Sequence, residues 1–184
     1  MRNYIKFAFF SLSLIFIFFS CSNNGTSTGN PLVSLRYQNF NASLSAFTVN
    51  QLHLCFKRVR FKQLGETTNT DTTLDSDNID FDIGEKSISS AGDLLGDVNV
   101  PAGQYARIEF DLDNHCGNGY SVYINNSNGT FSTTNSITIK FQGTFNLNQN
   151  TELNLAIQPI ITSVNSVSSS VGIKTVLEGV SGSF

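Results

Sequence analysis

The chain has 184 residues, a formal net charge of −3, 16 Phe, no Trp and three Cys. A chain of this length buries roughly 70% of its unfolded surface, enough for one domain with its own core. The acidic balance argues against a nucleic-acid face or broad adhesion to anionic lipid, since both require clustered cations.

The first segment in chain order is a processing signal. Arg2 and Lys6 supply a basic start, Phe7 to Phe19 an apolar run, and Ser20-Cys21 a small residue before a lipid-acceptor cysteine. A polar tether from Ser22 to Gly29 follows, as expected if Cys21 carries palmitate-type acyl chains. Phe18 and Phe19 stand where lipoprotein signals usually place an aliphatic and a small residue. An uncleaved anchor and secretion by cleavage elsewhere are the alternatives, although the run is shorter than the ~20 residues of a spanning helix. The expected organisation is a leader over 1–20, a lipidated cysteine and tether over 21–31, and a folded body over 32–184. Removal of Arg2 and Lys6 leaves that body with a formal charge of −5. The expected location is a bacterial envelope. Ser22 is not the Asp that retains some lipoproteins at the inner membrane, which points by analogy to the outer one.

The body is patterned with period two. Leu52, Leu54 and Phe56 alternate with His53 and Cys55; the alternation slips at Lys57-Arg58 and resumes at Val59 and Phe61. Such a slip predicts a β-bulge. Residues 65–78 are a polar loop, and Ile79, Phe81 and Ile83 alternate with Asp80 and Asp82. Pro101-Ala102-Gly103-Gln104 predicts a turn, followed by a strand from Tyr105 to Leu112 with Arg107, Glu109 and Asp111 on its polar side. Strands at Tyr120–Ile124 and Phe131–Phe141 flank a hairpin at Asn125–Gly129. Phe145–Leu147, Leu153–Ile157 and Ile173–Val180 complete the strands, and no convincing helix is read. The fold class expected is all-β: a single-domain antiparallel β-sandwich of prealbumin or immunoglobulin type with about eight strands.

The stretches Leu54-Cys55-Phe56-Lys57-Arg58-Val59-Arg60-Phe61-Lys62 and Val100-Pro101-Ala102-Gly103-Gln104-Tyr105-Ala106-Arg107-Ile108 resemble a family of bacterial lipoprotein domains of unknown function. The resemblance spans about Leu32 to Val180. It implies a prealbumin-like sandwich in the envelope, with a Pro-Ala-Gly-x-Tyr turn joining two strands. It carries no catalytic residues to this chain.

Several constellations could hold chemistry. His53 and Cys55 share a strand face, and His115 and Cys116 follow another strand. With Cys21 consumed by lipid, Cys55 and Cys116 form an even pair, so a disulfide is one reading, worth roughly 3–4 kcal/mol. A tetrahedral zinc or copper site on His53, Cys55, His115 and Cys116 is the second, and free thiols are the third. Asp71, Asp75, Asp77, Asp80 and Asp82 invite a calcium reading, but Ile79 interrupts the ligand spacing and an exposed acidic loop is preferred. Lys57, Arg58, Arg60 and Lys62 read as a wet strand face. Tyr37, Tyr105, Tyr120 and Tyr123 could stack on sugars, with core packing the alternative. The sequons at Asn24, Asn41, Asn125 and Asn128 carry little meaning in a bacterial chain.

Enzyme motifs are not found, and only His53 and His115 could act as neutral-pH bases. The expected function is therefore non-enzymatic, without cofactor. The chain is read as a lipid-anchored envelope protein with a structural, adhesive or assembly role through protein contacts. A glycan- or metal-binding surface module is the alternative. Expected partners are the membrane, through the anchor, and an envelope protein or glycan, not nucleic acid.

Overall fold

The computed structural model describes residues 29–38, 51–65 and 79–184, with the backbone alone for 79–82. The leader, Cys21, most of the tether and the loop after Gly65 lie outside the described residues.

Ten strands and two short helices are present among the described residues. A three-stranded sheet has the order β4 (Asp93–Asn99), β1 (Leu32–Tyr37), β9 (Thr151–Leu155). The larger sheet is built on β2, the 13-residue strand Gln51–Gln63. On one side β2 pairs with β3 (Ile79–Ser87). On its other side it pairs first with β6 (Val122–Asn126), opposite Gln51–Leu54, and then with β5 (Gly103–Leu112), opposite Phe56–Gln63. β5 and β6 therefore lie end to end along one flank of β2. β7 (Gly129–Thr133) and β8 (Ile137–Leu147) continue the pattern one strand further out, pairing with β6 and β5. The expected single strand Phe131–Phe141 is thus one line broken at 134–136. β10 (Ser181–Ser183) closes the sheet against β8.

Most pairs are antiparallel, but β9 runs parallel to β1 and β10 parallel to β8. A parallel neighbour requires a long crossover, and the connection from β8 to β10 holds β9 and both helices. These are α1 (Gln158–Val164) and α2 (Gly172–Glu178). α2 corrects the strand expected over Ile173–Val180. The apolar positions Ile173, Val176, Leu177 and Val180 follow helical rather than alternating spacing, and Ile173 and Leu177 are buried. Ile157, Ile160, Ile161 and Val164 repeat the spacing in α1, where Pro159 sits in the first turn.

Between the sheets lie Val33, Leu35 and Tyr37 of β1, Leu52, Leu54, Phe56, Val59 and Phe61 of β2, and Ile108, Phe110 and Leu112 of β5. Phe110 packs edge-to-face with Phe56 and Phe141, at centroid distances of 5.5 and 5.7 Å. The bulge falls where the alternation slips: register shifts against both β3 and β5 between Phe56 and Arg58. The Pro-Ala-Gly-x-Tyr turn also has a structural cause. Tyr105, fully buried, donates its hydroxyl proton back across the turn to the Pro101 carbonyl at 2.7 Å. Its ring stacks on Phe145 at 5.3 Å.

Candidate functional site

Because the core-facing set of β2 is fixed, His53, Cys55, Arg60 and Lys62 project from the outer face of the larger sheet. The loop 113–121 lies on this face, bridging the gap between β5 and β6. Cys55 stands opposite that gap and ties the loop three times. Its N–H donates to the Ser121 carbonyl at 2.9 Å, its carbonyl accepts from the Asp113 N–H at 3.3 Å, and its sulfur is bonded to Cys116. The cysteine pair is thus a disulfide, with Cα atoms 6.0 Å apart. Gly117 and Gly119, at φ 82° and 83°, let the chain turn sharply after Cys116.

Beside the disulfide, His115 Nδ1 is 3.4 Å from Cys55 Sγ and also contacts Asp113 Oδ1. Asp113 Oδ2 accepts from Lys57 Nζ at 2.6 Å. Burial works to raise the Asp113 carboxyl; the Lys57 ammonium, the His115 backbone N–H and the His115 ring outweigh it and hold it down at about 2. An ionised Asp113 accepts only, so the ring proton resides on Nδ1. Of the four proposed metal ligands, Cys55, His115 and Cys116 offer donor atoms within 4.8 Å of one another. His53 is elsewhere.

His53 belongs to a second group, on the β6 side of the loop. Its Nδ1 is 2.8 Å from Glu85 Oε1, which also accepts from the Tyr120 hydroxyl at 2.6 Å, while Glu85 Oε2 accepts from Asn118 Nδ2. The Tyr120 hydrogen bond, aided by Asn118 and His53 and opposed by burial, lowers the Glu85 pKa. Burial and the Glu85 carboxylate push the Tyr120 phenol up to about 12, so it remains a proton donor at any ordinary pH. Tyr123 packs 5.4 Å from both His53 and Tyr120. The four tyrosines considered as a sugar platform therefore divide: Tyr37 and Tyr105 are core, while Tyr120 and Tyr123 are half-buried on the outer face. Asn118 Oδ1 is buried and accepts no hydrogen bond from the described residues.

A third group lies on the β5 side. Of the cations expected to form a wet face, Lys57 is exposed and Arg58 partly so, whereas Arg60 is set among carboxylates and Lys62 is only 2% exposed. The cause is register: β5 places Asp111 opposite Arg58 and Glu109 opposite Arg60. Arg58 binds Asp111 through Nε, and Arg60 Nη2 reaches Asp111 at 2.8 Å and Glu109 at 3.0 Å. Arg107 Nε is 2.7 Å from Glu109 Oε1 but off the hydrogen-bond axis, so this contact is ionic. Thr138 donates to Asp111 at 2.7 Å. Burial raises the Asp111 pKa, but Arg58, Thr138 and Arg60 together prevail and lower it. Arg58, Arg60, Asp111 and Thr138, with Lys57, Lys174 and Glu178, line a polar cavity of about 290 Å³.

Other candidates do not join these groups. Cys21, Asn24, Asn41, Asp71, Asp75 and Asp77 lie outside the described residues, and Asp80 and Asp82 are described only as β3 backbone, so the calcium reading receives no geometry. Asn128 is a structural residue: its amide donates to the carbonyls of Asn165 and Val167 at 3.2 and 3.0 Å, beyond the end of α1. Sequence reading missed Asp113, Glu85 and Asn118. An Asp two residues before His115 was a usable signal; Glu85 meets Asn118 and Tyr120 only because β3 pairs with β2 and sets Glu85 opposite Cys55.

No curated protein and no solved structure matches this chain. One family model does, described as "Domain of unknown function (DUF4382)", over residues 44–169. That span runs from before β2 to just past α1, covers the disulfide and all of the aromatic group around Glu85, and makes this chain a member of the DUF4382 family.

Proposed function

We propose that this chain is a non-enzymatic binding module of a bacterial envelope that takes a glycan on the outer face of its larger sheet. One observation carries the reading: Tyr120, Tyr123 and His53 form an aromatic group beside the Glu85 carboxylate. A sugar ring offers C–H faces to aromatic rings and hydroxyls to carboxylate oxygens, so one patch serves both halves of the ligand. Glu85 takes three donors and retains lone-pair capacity for a fourth.

Export by the leader and anchoring through acylated Cys21 are part of the same proposal, with the outer membrane the preferred destination. The disulfide supports it, since disulfides persist in oxidising compartments. The two histidines are held by structural partners, His53 by Glu85 and His115 by Asp113, which agrees with a non-catalytic role. Ligand binding is preferred to an adhesive role through protein contacts. Among the described residues the exposed large apolar side chains are Leu32, Leu64 and Val171, on three separate segments rather than in one patch.

The test is calorimetric titration of the purified chain with a panel of neutral oligosaccharides. Saturable binding is expected for at least one, weakened about tenfold or more by Tyr123→Ala. Heat unchanged across the panel, or equal affinity in the variant, would contradict the proposal.

A further inference from the structure

The sulfur cluster at the centre of the outer face brings three metal-ligating side chains together. We propose that reduction of Cys55–Cys116 turns the loop 113–121 into a site for a thiophilic divalent cation of the zinc class, held by both sulfurs and the His115 imidazole.

Three observations support this. The donor atoms of Cys55, His115 and Cys116 already lie within 4.8 Å of one another. Sulfur and nitrogen on one tetrahedral zinc stand about 3.6 Å apart, and two sulfurs about 3.8 Å apart, given the usual bond lengths. Cys55 Sγ and His115 Nδ1, at 3.4 Å, are close to that separation, so the sulfurs have only to part from each other. Contacts other than the disulfide also hold the loop. Cys55 holds its two ends through the Asp113 N–H and the Ser121 carbonyl, and the Asp113 carboxylate accepts from the His115 backbone N–H at 3.0 Å. Cys116, flanked by Gly117, can then swing outward while His115 stays beside Cys55.

The chemistry balances. A dithiol reductant supplies two electrons and two protons, becomes a disulfide, and leaves two thiols on the chain. The entering cation displaces both thiol protons to solvent. The imidazole proton moves from Nδ1 to Nε2, which breaks the Nδ1–H···Asp113 hydrogen bond, and a small rotation of the ring turns the freed Nδ1 lone pair to the cation beside Cys55. Three protein donors are engaged, and the fourth position falls to solvent. The Asp113 carboxylate, released from Nδ1, remains beside the cation as a counter-charge, still held by Lys57 and the His115 backbone N–H.

The experiment uses the purified full chain, oxidised or reduced with dithiothreitol and desalted without oxygen, then titrated with cobalt(II) and afterwards zinc(II). The reduced chain should bind one equivalent of cobalt with a thiolate charge-transfer absorption that zinc abolishes, and the oxidised chain none. His115→Ala should lower affinity at least tenfold, while His53→Ala should leave it unchanged. Circular dichroism reports whether the reduced chain is folded. The proposal is overturned if the reduced chain is unfolded, if its cobalt uptake equals that of the oxidised chain, or if His115→Ala binds within twofold of the parent.

Discussion

At the scale of the residue, the outer face is governed by carboxylates that favour their ionised form. Asp113, Asp111 and Glu85 all titrate below their ordinary values in the folded chain, Asp113 at about 2 against 3.8. A depressed carboxylate contributes stability that is present above its unfolded pKa and lost as pH falls through its folded one. The urea midpoint should therefore be nearly flat above about pH 5 and fall between about pH 4 and pH 2. Asp113→Asn should lower the midpoint at neutral pH and shallow that acid-side fall; an unchanged slope would show that Asp113 is not among the groups responsible. The core makes a separate prediction. Tyr105→Phe strands the Pro101 carbonyl and should cost about 1 kcal/mol in urea denaturation, with the fold retained.

At the scale of the element, what was legible in the sequence was whatever a single strand can state about itself. The slip at Lys57-Arg58 located the bulge, and alternation placed His53 and Cys55 on one face. It could not bring them to one ligand. Neighbours on a face are two rises apart, about 7 Å, far enough for His53 to meet Glu85 while Cys55 meets Cys116. Arg58 and Arg60 of β2 looked solvated because their carboxylate partner Asp111 sits on β5, roughly fifty residues later in the chain. α2 was misread because seven residues are too few for a period to declare itself among β-branched residues, even though 173, 176, 177 and 180 were correctly spaced for a helix. β10 offers a test at this scale. A Cβ on Gly182 would lie 2.5 Å from the Phe141 ring and 2.7 Å from the Ala156 carbonyl oxygen. Gly182→Ala should therefore cost about 1–3 kcal/mol and expose β8 amides to hydrogen exchange; wild-type protection there would refute the close packing of β10.

At the scale of the whole molecule, a two-sheet sandwich carries its chemistry on one outer surface, divided by a loop that the disulfide pins at the gap between β5 and β6. The Cys55→Ser, Cys116→Ser double variant should lose about 3–4 kcal/mol of stability. Its loop amides should exchange faster while those of β1 and β8 remain protected relative to the loop. The chain contains no Trp, so its intrinsic fluorescence comes from tyrosine, and of the four tyrosines in the folded body only Tyr120 and Tyr123 face outward. Tyrosine emission during oligosaccharide titration is therefore the most direct measurement of the proposed binding face. A saturable change that disappears in the Tyr120→Phe, Tyr123→Phe double variant is predicted; saturable binding with unaltered emission, or a full change in that variant, would contradict it.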